Sequence, residues 1–151
     1  MADVGFAQSH SSTQYQQFKY ALEGTMLYTI LIFSEDDVFE NLPKEKQEQN
    51  MARHQALQKK LQEDGRPGPA IKLMGSSAAV SVRGRGENIL VTDGPFAETK
   101  EQILGLYLID CDSMEQAIEY TKMLPLDVSS YEIRPVEWPN AQSVPFTLRS
   151  E

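Results

Sequence analysis

Two segments of this chain are apolar on both of their alternating faces, and they limit its fold more than any other feature. In residues 26–33 (MLYTILIF), Leu27, Leu31 and Phe33 point to one side, and Met26, Tyr28, Ile30 and Ile32 to the other. In residues 103–110 (ILGLYLID), Ile103, Gly105, Tyr107 and Ile109 share one face, and Leu104, Leu106 and Leu108 take the opposite one. A strand with one wet face alternates apolar and polar residues, whereas a strand without that alternation must be covered on both sides.

The segments between and around them supply part of that cover. Residues 43–64 read as a helix, with Pro43 suited to the first turn and the Gly65 to Pro67 stretch as a stop. Helical spacing sets Met51, His54, Leu57 and Leu61 on one stripe and leaves most of the lysines and arginines to solvent. Residues 78–83 and 88–92 read as a hairpin joined across Gly84-Arg85-Gly86-Glu87. Residues 113–124 form a second predicted helix. Ser113 and Gln116 have capping-box spacing there, and Met114, Ala117, Ile118 and Thr121 make the buried stripe. A last strand is expected at 131–136, near a sheet edge because of Pro135. The elements are read as β-α-β-β-α-β, a ferredoxin-like α+β arrangement. Two helices cover only one face of a four-stranded sheet. The second apolar face then calls for another copy of the chain packed sheet to sheet, a two-fold homodimer.

Composition narrows the function classes. The 151 residues suit one domain with its own core. A net charge of −8 argues against a nucleic-acid partner. No apolar run approaches the ~18 residues of a membrane span. The single cysteine, Cys111, rules out an intrachain disulfide. With two histidines it makes no zinc pattern, so neither a metal nor another cofactor is expected. A reduced, cytoplasmic setting fits this usage. Residues 1–25 are rich in Gln, Ser and Tyr and lack the charged and apolar regions of a secretory signal. They read as an extension, partly disordered or a surface helix, and 139–151 as a C-terminal tail.

Between the hairpin and the second doubly apolar strand runs Thr92-Asp93-Gly94-Pro95-Phe96-Ala97-Glu98-Thr99-Lys100-Glu101-Gln102. Asp-Gly supplies a tight bend and Pro95 fixes its exit, so this is a shaped loop of the kind that carries function. The block VTDGPFAETKEQILGLYLIDCDSMEQA, with MLYTILIF before it and YEIRPVEW after it, resembles the DGPF branch of the YCII-related family over residues 26–138. The resemblance implies a dimeric α+β barrel. It also implies a link to extracytoplasmic-function sigma factors, with no established activity for the branch. Some YCII-like proteins pair a His on the first helix with an Asp after the first strand as a proposed catalytic couple. The matching positions here are His54, in Arg53-His54-Gln55, and Asp36, in Ser34-Glu35-Asp36.

Each candidate residue carries a plainer reading beside the functional one. His54 is a core histidine on an apolar stripe, or an acid–base group held by Asp36. Asp93 is a turn residue, or a ligand contact. Thr99, Lys100 and Glu101 pin the loop and set Phe96 into the core, or Thr99 and Lys100 meet an anionic ligand; Tyr107, with Gly105, could help shape a pocket. Cys111 lacks a basic neighbour and is a poor nucleophile. Three functions stay open: a small-molecule-binding or regulatory module, an enzyme using His54 and Asp36, and a structural dimer with a filled interior.

Overall fold

The computed structural model describes residues 26–137, so the predicted extension and tail lie outside the described residues. The elements run β1 (Met26–Ser34), α1 (Lys44–Glu63), β2 (Ala70–Lys72), a 3-10 turn (Ser76–Ala78), β3 (Val80–Arg85), β4 (Asn88–Asp93), β5 (Gln102–Cys111), α2 (Met114–Thr121) and β6 (Ser130–Pro135). The architecture is α+β, with two helices and two antiparallel sheets. One sheet has four strands in the order β2-β5-β1-β6, and the other is the β3-β4 hairpin alone.

Both doubly apolar segments are strands, and they pair at the centre of the larger sheet. Ile30 stands opposite Tyr107 and Tyr28 opposite Ile109, all on the face toward the helices. These four residues, with Cys111, pack on Leu57 and Leu61 of α1, Ala117 and Tyr120 of α2, and Leu124. Each large aliphatic side chain taken fully out of water there contributes about 1.5–3 kcal/mol. Across the other face run Ile71, Leu106 and Leu31, opposite one another on neighbouring strands, and they are only partly covered. As Pro135 suggests, β6 is at an edge, paired with β1 alone.

The predicted strand order needs correction. The hairpin forms, but it stands apart from the four-stranded sheet, and the second strand of that sheet is Ala70–Lys72, which periodicity did not reveal. Three residues are too few to show a period of two. The turn is also tighter than predicted: Gly86, at φ +59, and Glu87 connect Arg85 directly to Asn88. Only a residue without Cβ takes the first central position of such a turn easily. Phe96 does not enter the core. It is 74% exposed, with the Arg83 guanidinium 5.5 Å from its ring centroid.

Both helices end or begin as their local chemistry dictates, while their stripes differ in detail. Gly65, at φ +67, closes α1: its N–H donates to Gln62 O (3.1 Å) and that of Arg66 to Leu61 O (2.7 Å), the paired bonds of a Schellman stop. On α1 Leu57 and Leu61 are buried, but Met51 is half exposed and Asn50 takes the inner place. At α2, Ser113 Oγ accepts from Gln116 N (3.2 Å), and Gln116 Oε1 accepts from Asp112 N, one residue before the cap. Tyr120 rather than Ile118 completes the buried stripe of α2, because its hydroxyl reaches Asp64 Oδ2 (2.6 Å) at the end of α1. Arg66, 8% exposed, ties the same region together through Asp110 O (3.0 Å) and Asp112 Oδ2 (2.6 Å).

Gly105 decides where β2 can lie. A Cβ on Gly105 would stand 2.2 Å from Ile71 O, a backbone atom that cannot swing aside. Gly105→Ala should therefore destabilise the protein by about 1–3 kcal/mol, the usual cost of overpacking. Gly75→Ala is the control. Its Cβ would meet nothing nearer than Asp36 Oδ1 at 4.0 Å, so its stability should be unchanged or slightly higher. Urea unfolding of the two variants measures the difference.

Candidate functional site

A cavity of about 220 Å³ opens beside α1, at the end of the sheet where β2 joins β5. Several local features build it. Asp37 adopts a left-handed conformation (φ +60), tolerated by Asp, and the turn that follows β1 brings Val38 and Phe39 to the cavity. Ile32, Leu104 and Leu106 contribute from the central strands, and Ile71 and Lys72 from β2. Asn50, Met51, His54 and Gln58 face it from α1 at helical spacing. The wall is mainly apolar, with a few polar groups set into it, as in small-molecule sites generally.

The polar centre is a pair. His54 Nδ1 lies 2.6 Å from Tyr107 Oη, and the two rings are nearly parallel, with centroids 5.9 Å apart. Burial pushes the His54 pKa below its ordinary value of 6.5, so the ring is neutral at pH 7. Burial raises the Tyr107 pKa, partly offset by a hydrogen bond from the Gln58 side chain. With Gln58 donating to the phenol oxygen, the consistent arrangement has Tyr107 O–H donating to Nδ1, which leaves the proton of neutral His54 on Nε2. A phenol and an imidazole so joined can hold a hydrogen-bonding ligand or pass a proton.

Of the residues singled out from the sequence, the fold brings together only His54 and Tyr107. The Asp36 carboxylate is engaged elsewhere: Oδ1 accepts from Ser76 N (3.3 Å) and Oδ2 from the Ser76 hydroxyl. It thus pins the 3-10 turn to the end of β1. Asp93 ends β4 opposite Val80 and is exposed. Thr99 Oγ1 donates to Glu101 O (2.6 Å) and receives Gln102 Nε2 (3.1 Å), which pins the loop. Lys100 Nζ lies 3.0 Å from Glu35 Oε1, and that hydrogen bond raises the Lys100 pKa. Gln58, Lys72 and Phe39 escaped the sequence analysis. The spacing of Gln58, four residues after His54 on the same helix face, was a usable signal. Cys111 is buried, and burial pushes its thiol up to about 12, which leaves it unreactive at neutral pH. Among the described residues no group of three or more His, Cys, Asp and Glu could hold a metal ion, and no helix is long and apolar enough to cross a membrane.

The depressed pKa of His54 has a signed consequence. The unfolded chain binds a proton near pH 6.5 and the folded one resists it, so protons accumulate on the unfolded state as pH falls. The contribution of His54 to stability should be complete above the unfolded pKa and lost as pH drops below it. Chemical denaturation from pH 7.5 down to about 5 should show this decline, and the His54→Gln variant should show a shallower one.

The YCII-related domain profile matches residues 26–139, from the first residue of β1 to just beyond β6. A protein of Rhizobium meliloti (strain 1021), itself uncharacterized, is 40% identical over 114 residues, which cover 74% of this chain and 92% of that protein. The matched span contains every element of both sheets, the two helices and the cavity, and the chain belongs to the YCII-related domain family.

Proposed function

We propose that this protein is a dimeric small-molecule-binding or regulatory module of the DGPF branch, whose ligand sits in the cavity beside α1. The observation that carries the reading is the His54–Tyr107 pair, a short polar contact set into a mainly apolar wall. A core histidine that only needed a partner would find one without an adjoining cavity. The branch assignment rests on the TDGPF turn, where Gly94 takes φ +89. The sheet order β6-β1-β5-β2, with both helices packed on one face, supports a ferredoxin-like core carrying an inserted hairpin. Ligand contacts at Asp93, Thr99 and Lys100 have weaker support, since none of these lines the cavity. A cytoplasmic setting, which rests on the cysteine usage, and a link to sigma-factor regulation, which rests on the resemblance, agree with this reading.

The dimer is supported by apolar surface that one chain leaves open. Leu31, Leu106 and Leu108 lie on the sheet face away from the helices. Val82 and Val91 of the hairpin are 67% and 61% exposed as a cross-strand pair. Apolar surface on this scale marks an interface in a soluble protein. In light scattering the wild type should run as a dimer with more than ~1,000 Å² of buried surface, and Leu108→Glu should run as a monomer.

An enzymatic reading, with His54 and Asp36 as an acid–base pair, is the second possibility. Its support lies in the neutral imidazole at the cavity. The Asp36 bonds to Ser76 weigh against that pairing, and Tyr107 is the better placed partner. A metabolite screen by thermal shift tests both readings. Binding should be lost in His54→Gln and Tyr107→Phe, with the dimer retained. Tyr107→Phe should also cost about 0.5–1.5 kcal/mol of stability, the net worth of one hydrogen bond at a half-buried imidazole. A compound consumed by the wild type and only bound by His54→Gln would favour the enzyme.

A further inference from the structure

We propose that the cavity ligand is a small anion with an apolar body, a short monocarboxylic acid being the simplest case, and that Lys72 receives its carboxylate; this rests on the cavity reading above. Lys72 is the one cation among the described residues that line the cavity, and no carboxylate lines it. In a chain of net charge −8, a cavity without acidic residues and with a lysine at its wall stands out from its surroundings. His54 is neutral and bonded to Tyr107, so it does not supply the positive charge.

The lysine is positioned by two weak contacts. Its Nζ lies 5.2 Å from the centroid of the Phe39 ring, itself part of the wall, and 3.9 Å from Glu40 Oε1. The side chains of Lys72 and Glu40 are 75% and 61% exposed. An ion pair so exposed contributes little and yields readily to a competing anion. The Phe39 face holds the solvent-exposed ammonium at the rim of the cavity. The aliphatic part of the ligand then lies against Ile32, Val38 and Met51, and its carboxylate meets Lys72 at the rim. The small volume, about 220 Å³, favours a short chain over a lipid.

The test is an NMR titration of the ¹⁵N-labelled full chain with hexanoate and with 1-hexanol, which share a chain and differ in charge. Hexanoate should bind roughly two- to fivefold more tightly than the alcohol at low salt, the size expected of one exposed ion pair. The preference should shrink as salt rises. Lys72→Gln should remove it while leaving hexanol binding unchanged. Glu40→Gln, by removing the competing carboxylate, should strengthen hexanoate binding alone. Equal affinities for the two probes, or an undiminished preference in Lys72→Gln, would overturn the anion assignment and leave the cavity reading standing. Absence of shifts at cavity residues with either probe would overturn both.

Discussion

Everything in this molecule hangs on the antiparallel pairing of β1 with β5. Ile30 against Tyr107 and Tyr28 against Ile109 form the floor on which both helices rest. The same register sets Leu31 against Leu106 on the reverse face and Ile32 opposite Gly105. A one-residue slip would exchange the two faces of one strand, moving Ile30 and Tyr28 to the side without helices. The register is therefore specified by burial on the helix side, and β2, β6 and the cavity inherit their positions from it.

The cavity illustrates how that inheritance works. Tyr107 belongs to the floor of the core, and its hydroxyl meets His54 at the rim of the helix contact. Because both are half or fully enclosed, each stays in its neutral form, and their hydrogen bond joins two uncharged groups. Gly105, two residues earlier on the same strand face, leaves room for β2 to close the sheet edge. Closing that edge brings Ile71 and Lys72 to the cavity wall. One strand thus supplies the polar centre of the site and the gap that admits its outer wall.

The hairpin obeys different physics. Its strands bond only each other, and no described residue covers its apolar face. Contacts at its base hold it: Gly94 N donates to Ala79 O (2.7 Å), Ser81 Oγ to Gly94 O (2.7 Å), and Arg83 to Phe96 O. Two-stranded hairpins are marginal in water on their own. The TDGPF turn therefore serves first as a clamp for this arm, and the cavity lies elsewhere.

The sequence by itself determined which segments are helices and central strands, where α1 stops, how α2 is capped and that one sheet face would lack cover. Each of these is written in local periodicity, in a glycine at the αL position or in the spacing of Ser113 and Gln116. Only the tertiary structure decided that Ala70–Lys72 is a strand, that the hairpin leaves the main sheet, and that His54 meets Tyr107 while Asp36 meets Ser76. Those outcomes depend on contacts between residues far apart in the chain. His54 and Tyr107 are 53 positions apart, and Asp36 and Ser76 are 40. Local patterning records which face of an element is apolar. It does not record which distant side chain will stand opposite a given polar group once the strands have paired.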